Sequence, residues 1–161
     1  MDLGTVITAL IMLAVCVLPF VLMNRKKQKR IKHLKQTFTD FAKETNNTVG
    51  ELDVCGGIVI GLDEKSNSLF FVKEHAETTV KICIELQSVI GVSVEKPQFS
   101  GSTSFEKVVL NFSIKNNPSK LIQLFLFDEK DKMQLDGELQ LAEKWQKKLQ
   151  EVLKSKKDIA A

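Results

Sequence analysis

The sequence predicts an N-terminal transmembrane helix followed by an α+β domain, an antiparallel barrel or sandwich of six or seven strands closed by a C-terminal helix. Three observations predict it. Residues 3–23 carry no side chain charged at neutral pH, residues 57–127 fall into short β-branched and aromatic runs separated by polar turns, and the chain from 135 returns to an amphipathic helical period. A length of 161 residues leaves room for one ordinary domain plus short extras, because compact domains usually take about 100 to 150 residues.

The apolar run LGTVITALIMLAVCVLPFVLM occupies 3–23. An α-helix rises about 1.5 Å per residue, so such a run covers about 30 Å, the thickness of a bilayer's hydrocarbon layer. A buried core helix of this length keeps a polar face, and this one is apolar all round. A cleaved secretory signal expects basic residues before the run and a small-residue cleavage site after it. Here the front carries Asp2 and the terminal amine, and the back enters Asn24-Arg25-Lys26-Lys27 directly. The stretch Leu13-Ala14-Val15-Cys16 fails as a lipoprotein box, because Val15 is too large before the cysteine. Pro19 fits a local bend of a membrane helix.

Arg25, Lys26, Lys27, Lys29, Arg30, Lys32 and Lys35 crowd one flank, with no acid before Asp40. By the positive-inside rule this flank stays in the cytoplasm. Next to anionic headgroups each cation near the surface adds about 1 kcal/mol, which makes the seven the expected membrane-surface contacts and the lipid bilayer an expected partner. Seven positive charges in a chain of net charge +3 leave −4 for the remainder. The domain itself is therefore not basic, and nucleic acid is excluded as a partner.

Between 25 and 45 there is neither Pro nor Gly, and Ile31, Leu34, Phe38 and Phe41 recur at helical spacing beside Ala42. This predicts an amphipathic juxtamembrane helix packed on its own domain. Asn46-Asn47-Thr48-Val49-Gly50 ends it. The strand-like runs are 57–62, 68–73, 80–86, 90–95, 107–114 and 121–127. Polar bridges at 63–67 and 116–120 join consecutive runs as hairpins. Along 107–114, Val108, Leu110, Phe112 and Ile114 alternate with smaller or polar residues, the period of a strand with one buried face. The next run has apolar residues on both faces, which predicts cover on both. A closing helix starts near Leu135 or Asp136, with Asp136 as its cap and Leu139, Ala142, Trp145, Leu149 and Val152 or Leu153 on one stripe. The expected divisions are an anchor at 1–24, a basic helix and linker at 25–49, a domain at 50–154 and a frayed tail at 155–161.

This meander finished by one helix, with Trp145 on the helix's buried stripe and an apolar strand end, polar turn and new strand over 84–92, resembles the pleckstrin-homology superfold and its bacterial PH-like relatives. The resemblance covers roughly 50–154 and is architectural; a lipocalin-like or other small barrel fits the same elements. It implies a recognition module, for lipid headgroups or for a peptide laid between strand and helix, and a bacterial inner membrane as the compartment, crossed once with the N-terminus outside and the domain cytoplasmic. Phosphoinositide-binding members place basic residues in the first hairpin loop. Here that loop, 63–67, has one lysine and two acids, and both arginines lie in the basic flank.

Catalytic signatures are missing. There is no P-loop, nucleophile elbow or H-E-x-x-H, and Gly56-Gly57-Ile58-Val59-Ile60-Gly61 misses dinucleotide spacing, so these glycines read as strand-edge flexibility or a bulge. Asp63-Glu64 and Asp128-Glu129-Lys130-Asp131 read as solvated turns. Cys16, Cys55, Cys83, His33 and His75 stand apart from one another, without zinc spacing. The expectation is therefore no enzyme, no cofactor and no metal. Function is expected to be a membrane-anchored interaction or scaffold module that binds a protein partner or self-associates; the alternative is a peripheral sensor of anionic lipid or a small apolar ligand. The irregular loop 97–105 carries Phe99 and Phe105 around a Ser/Gly centre and is the first partner-binding candidate. A groove by Phe127, Leu139 and Trp145 is the second.

Overall fold

The structure, a computed structural model, describes residues 3–75, 78–98, 105–115, 117–131 and 134–159, with the side chains at 3, 5, 6, 8–10, 20, 117–120 and 157–159 outside the description. The chain divides into two compact units, Met1–His33 and Leu34–Ala161.

The first unit lies on helix α1, which runs from Leu3 to Glu44 with Pro19 inside it. Among the described residues, no helix is long and apolar enough to cross a membrane. This overturns the expected transmembrane anchor over 1–24, and with it the single-pass inner-membrane placement and its sidedness. The physical reason lies in what the helix presents. α1 continues from the apolar run through the basic stretch to Glu44 as one element, so the cations follow without a break in the helix. Met1 and Asp2, together with several side chains of the expected span, lie outside the described residues. Ile11, Leu13, Val15 and Leu22 are exposed.

The second unit opens with the last turns of α1. Asn46 adopts a left-handed φ of 55°. Its N–H donates to Lys43 C=O at 2.9 Å and that of Asn47 to Ala42 C=O at 3.0 Å, a Schellman stop. Four strands follow, β1 (Glu51–Cys55), β2 (Ile58–Asp63), β3 (Ser68–His75) and β4 (Thr78–Glu85), paired antiparallel in chain order. A second antiparallel sheet contains β5 (Val89–Glu95), β6 (Lys107–Ile114) and β7 (Asn117–Asp128), and α2 (Glu138–Ile159) closes the unit.

β1 is absent from the sequence expectation. Gly56 and Gly57, at φ 59° and 111°, form the two-residue turn between β1 and β2, a conformation that selects glycine in tight hairpins. They are a turn, not a bulge, and the short run before them becomes an edge strand. α2 begins two or three residues later than expected, at Glu138, with the Glu138 carboxylate accepting from the Asp136 N–H.

Two apolar clusters hold the unit. The larger joins Ile60, Leu69 and Phe71 of the first sheet, Leu110, Phe112 and Leu124 of the second, and Ala142, Trp145 and Leu149 of α2. The smaller lies on the other face of the first sheet, where Leu34 and Phe38 of α1 pack against Val59, Phe70 and Val72. Phe38 and Phe41 both meet Phe70 edge-on, with ring centroids 6.4 and 5.6 Å away. Each buried Phe contributes roughly 1.5–3 kcal/mol. Cover on both faces explains why β2 is buried at every position.

Candidate interaction surface

Several titratable groups of the second unit hold it together. Asp63 is buried. Its carboxylate accepts from the backbone N–H of Thr48 at 2.9 Å and Lys65 at 2.8 Å, with Ser66 at 3.4 Å. Burial alone pushes this carboxyl up, but those donors outweigh it and hold it below the ordinary carboxylate range. A residue expected in a solvated turn is thus a structural acceptor. Asp53 of β1 accepts from Trp145 Nε1 at 2.9 Å and from Lys144 Nζ at 2.7 Å, while Lys148 pairs with Glu51. Together these tie α2 to the first strand.

A cleft of about 310 Å³ is lined by Asn47, Ser66, Ser68, Glu85 and Gln87. It has amides, hydroxyls and one acid, and no cation to receive a phosphate. Among the described residues, no three His, Cys, Asp or Glu side chains are grouped to hold a metal ion.

The sequence-predicted site residues scatter. Arg25, Lys26, Lys27, Lys29, Arg30 and Lys32 are exposed on the α1 portion of the first unit, and Lys35 is exposed in the second. Phe99 lies outside the described residues. Phe105 is half-buried and forms an isolated antiparallel bridge with Gln98. Trp145 is fully buried, and Phe127 and Leu139 pack in the same core. The groove read from the sequence is therefore interior.

What the unit presents instead is the outer face of the second sheet, exposed along β5 and β7 at Ser93, Glu95, Leu121, Gln123 and Phe125 and buried in the middle at Val109 and Asn111 of β6. Antiparallel register sets three rows across it: Gly91, Ser113 and Leu121; Ser93, Asn111 and Gln123; Glu95, Val109 and Phe125. Leu121 and Phe125 are 46% and 40% exposed, flanking Gln123 on alternate positions of β7. The middle is an amide ladder in which Gln123 Nε2 donates to Asn111 Oδ1 at 3.0 Å and Asn111 Nδ2 to Glu95 Oε2 at 3.0 Å. Lys107 Nζ lies 3.8 Å from Glu95 Oε1.

Cover on both faces of β7 was the sequence expectation, and the structure corrects it at Leu121 and Phe125. The register shifts between Val108 and Val109, so that Val108 faces Phe127 while Val109 faces Phe125. This irregularity turns Phe127 inward beside Leu126. Alternation in the sequence cannot reveal such a switch. The row holding Phe125 is the one nearest the end where Gln98 bridges Phe105, and Glu106 N–H donates there to Pro97 C=O at 2.9 Å. One expected aromatic and one unexpected one thus share an end of the sheet.

Compared with known proteins, the chain matches no family model, no curated protein and no solved structure.

Proposed function

We propose that this chain is a protein-interaction module, and that the outer face of the three-stranded sheet receives the partner. The observation that carries the reading is the pair Leu121 and Phe125, exposed on either side of a hydrogen-bonded amide ladder. Such a face offers apolar contact area together with oriented polar groups, and the ladder fixes their positions before any partner arrives. Binding energy at interfaces concentrates in a few well-packed anchor residues surrounded by near-neutral contacts. The order of four strands, three strands and a closing helix supports reading the unit as a PH-like recognition domain.

The test is affinity purification of the full chain beside a Leu121→Ser/Phe125→Ser variant. Both residues are exposed, so the variant keeps its fold, checked by melting. The partner recovered with the unaltered chain is lost from the variant. Equal recovery with a folded variant contradicts the proposal.

A further inference from the structure

The four-stranded sheet ends at β4, which pairs with β3 through eight consecutive residue pairs and with no other described strand. Its far edge is a regular template for another strand. Thr78, Thr79, Val80, Lys81, Cys83 and Glu85 are all exposed. The strand has no proline, and its register with β3 is unbroken.

Hydrogen-bond parity says which groups point outward. Leu86 N–H donates to Asn67 C=O at 2.9 Å. In an antiparallel ladder the residues alternate between pairs that exchange both bonds and pairs that exchange none. Even-numbered residues of β4 therefore turn their backbone groups to β3, and Thr79, Lys81, Cys83 and Glu85 turn theirs to the open edge.

We propose that a second copy of this chain docks antiparallel along β4, with the two-fold axis at Cys83. An antiparallel copy must match outward groups with outward groups, so only registers pairing odd with odd residues are allowed. Centring on Lys81 or on Glu85 opposes like charges, and centring on Val80, Ile82 or Ile84 also pairs odd with odd but sets no Lys81 against a Glu85. Centring on Cys83 places Lys81 of each copy opposite Glu85 of the other, and opposite charges at directly facing positions stabilise a strand pair. Cys83 then exchanges backbone hydrogen bonds with its counterpart, and Glu85 N–H reaches the Lys81 C=O across the axis. The Glu85 C=O already accepts from Ser88 N–H at 3.1 Å and Ser88 Oγ at 2.8 Å, which ends the ladder there.

The two Cys83 Cα atoms would be about 5.5 Å apart, within the span a disulfide bridges. Burial, with Glu85 nearby, pushes the Cys83 thiol up. A raised thiol forms less thiolate at neutral pH, and Cys83 is exposed, so cross-linking by an added oxidant reports proximity. This inference rests on the interaction-module reading only in that self-association is one form of it, and the Leu121 and Phe125 variant tests the sheet face separately.

The experiment uses the full chain. Sedimentation gives the dimer constant of the unaltered protein, of Lys81→Glu, of Glu85→Lys and of the two combined. Each single change places like charges face to face and weakens the dimer about tenfold or more, and the combined exchange restores it. In a Cys16→Ser/Cys55→Ser chain, copper phenanthroline yields a disulfide-linked dimer through Cys83 that a further Cys83→Ser removes. A chain that stays monomeric, or a dimer indifferent to these charges, overturns the proposal. A folded double-serine chain that fails to cross-link overturns the Cys83-centred register.

Discussion

The indole N–H of Trp145 donates to the carboxylate of Asp53 at 2.9 Å, joining the closing helix to the first strand across 92 positions of chain. Trp145 has no exposed surface, so its N–H has no water to fall back on. Lys144 shares the same carboxylate, which holds its ammonium above the ordinary lysine range. Asp53→Ala strands the indole donor in the core and is expected to cost about 1–3 kcal/mol of stability. Denaturant unfolding measures it, and a near-neutral result refutes a structural role for the pair.

Gly61 lies beneath Phe38. A Cβ at this position would fall 2.7 Å from Phe38 Cζ and 2.7 Å from Val49 Cγ1, with Glu51 C=O at 3.0 Å. Gly61→Ala therefore lifts α1 from the first sheet. The expected loss is about 1–3 kcal/mol, typical of overpacking, accompanied by faster hydrogen exchange at 38–42.

Asp63 makes folding sensitive to acid. Its folded carboxyl is held below its ordinary value, so the unfolded chain binds this proton more tightly. The stability it contributes is fully present above the ordinary carboxylate value and is lost as pH falls through the lower, folded value. Asp63→Asn flattens that part of the profile. Thermal melting of both proteins from pH 6 down to about pH 2 tests this, and identical slopes contradict it.

Lys156 has a buried ammonium with no hydrogen-bond partner among the described residues. Burial lowers its affinity for the proton, so the unfolded chain takes the proton more tightly. The penalty is present at neutral pH and fades as pH rises through the lowered value. Lys156→Met removes it and raises the melting temperature at neutral pH. A lower melting temperature in the variant counts against the assignment.

Much of the second unit is legible in the sequence, because two-residue alternation marks β6 and helical spacing marks both Phe38 on α1 and Trp145 on α2. The surface is less so. The switch from Phe125 outside to Phe127 inside depends on a register shift that no residue type announces. β1 was hidden because Glu51 and Asp53 look like linker residues until α2 supplies Lys148 and Lys144. Asp63 looked solvated because its donors include Thr48, fifteen residues upstream. The apolar run at the start reads as a span from its length, and the described helix does not bear that out.

Site-specific photo-cross-linking tests the central claim most directly. A benzophenone side chain placed at 125 or 121 is expected to trap one discrete partner species, while the same group at Lys147, exposed on α2, traps none. No adduct at 125 and 121, or the same adducts at all three positions, would contradict a partner-binding face on the three-stranded sheet.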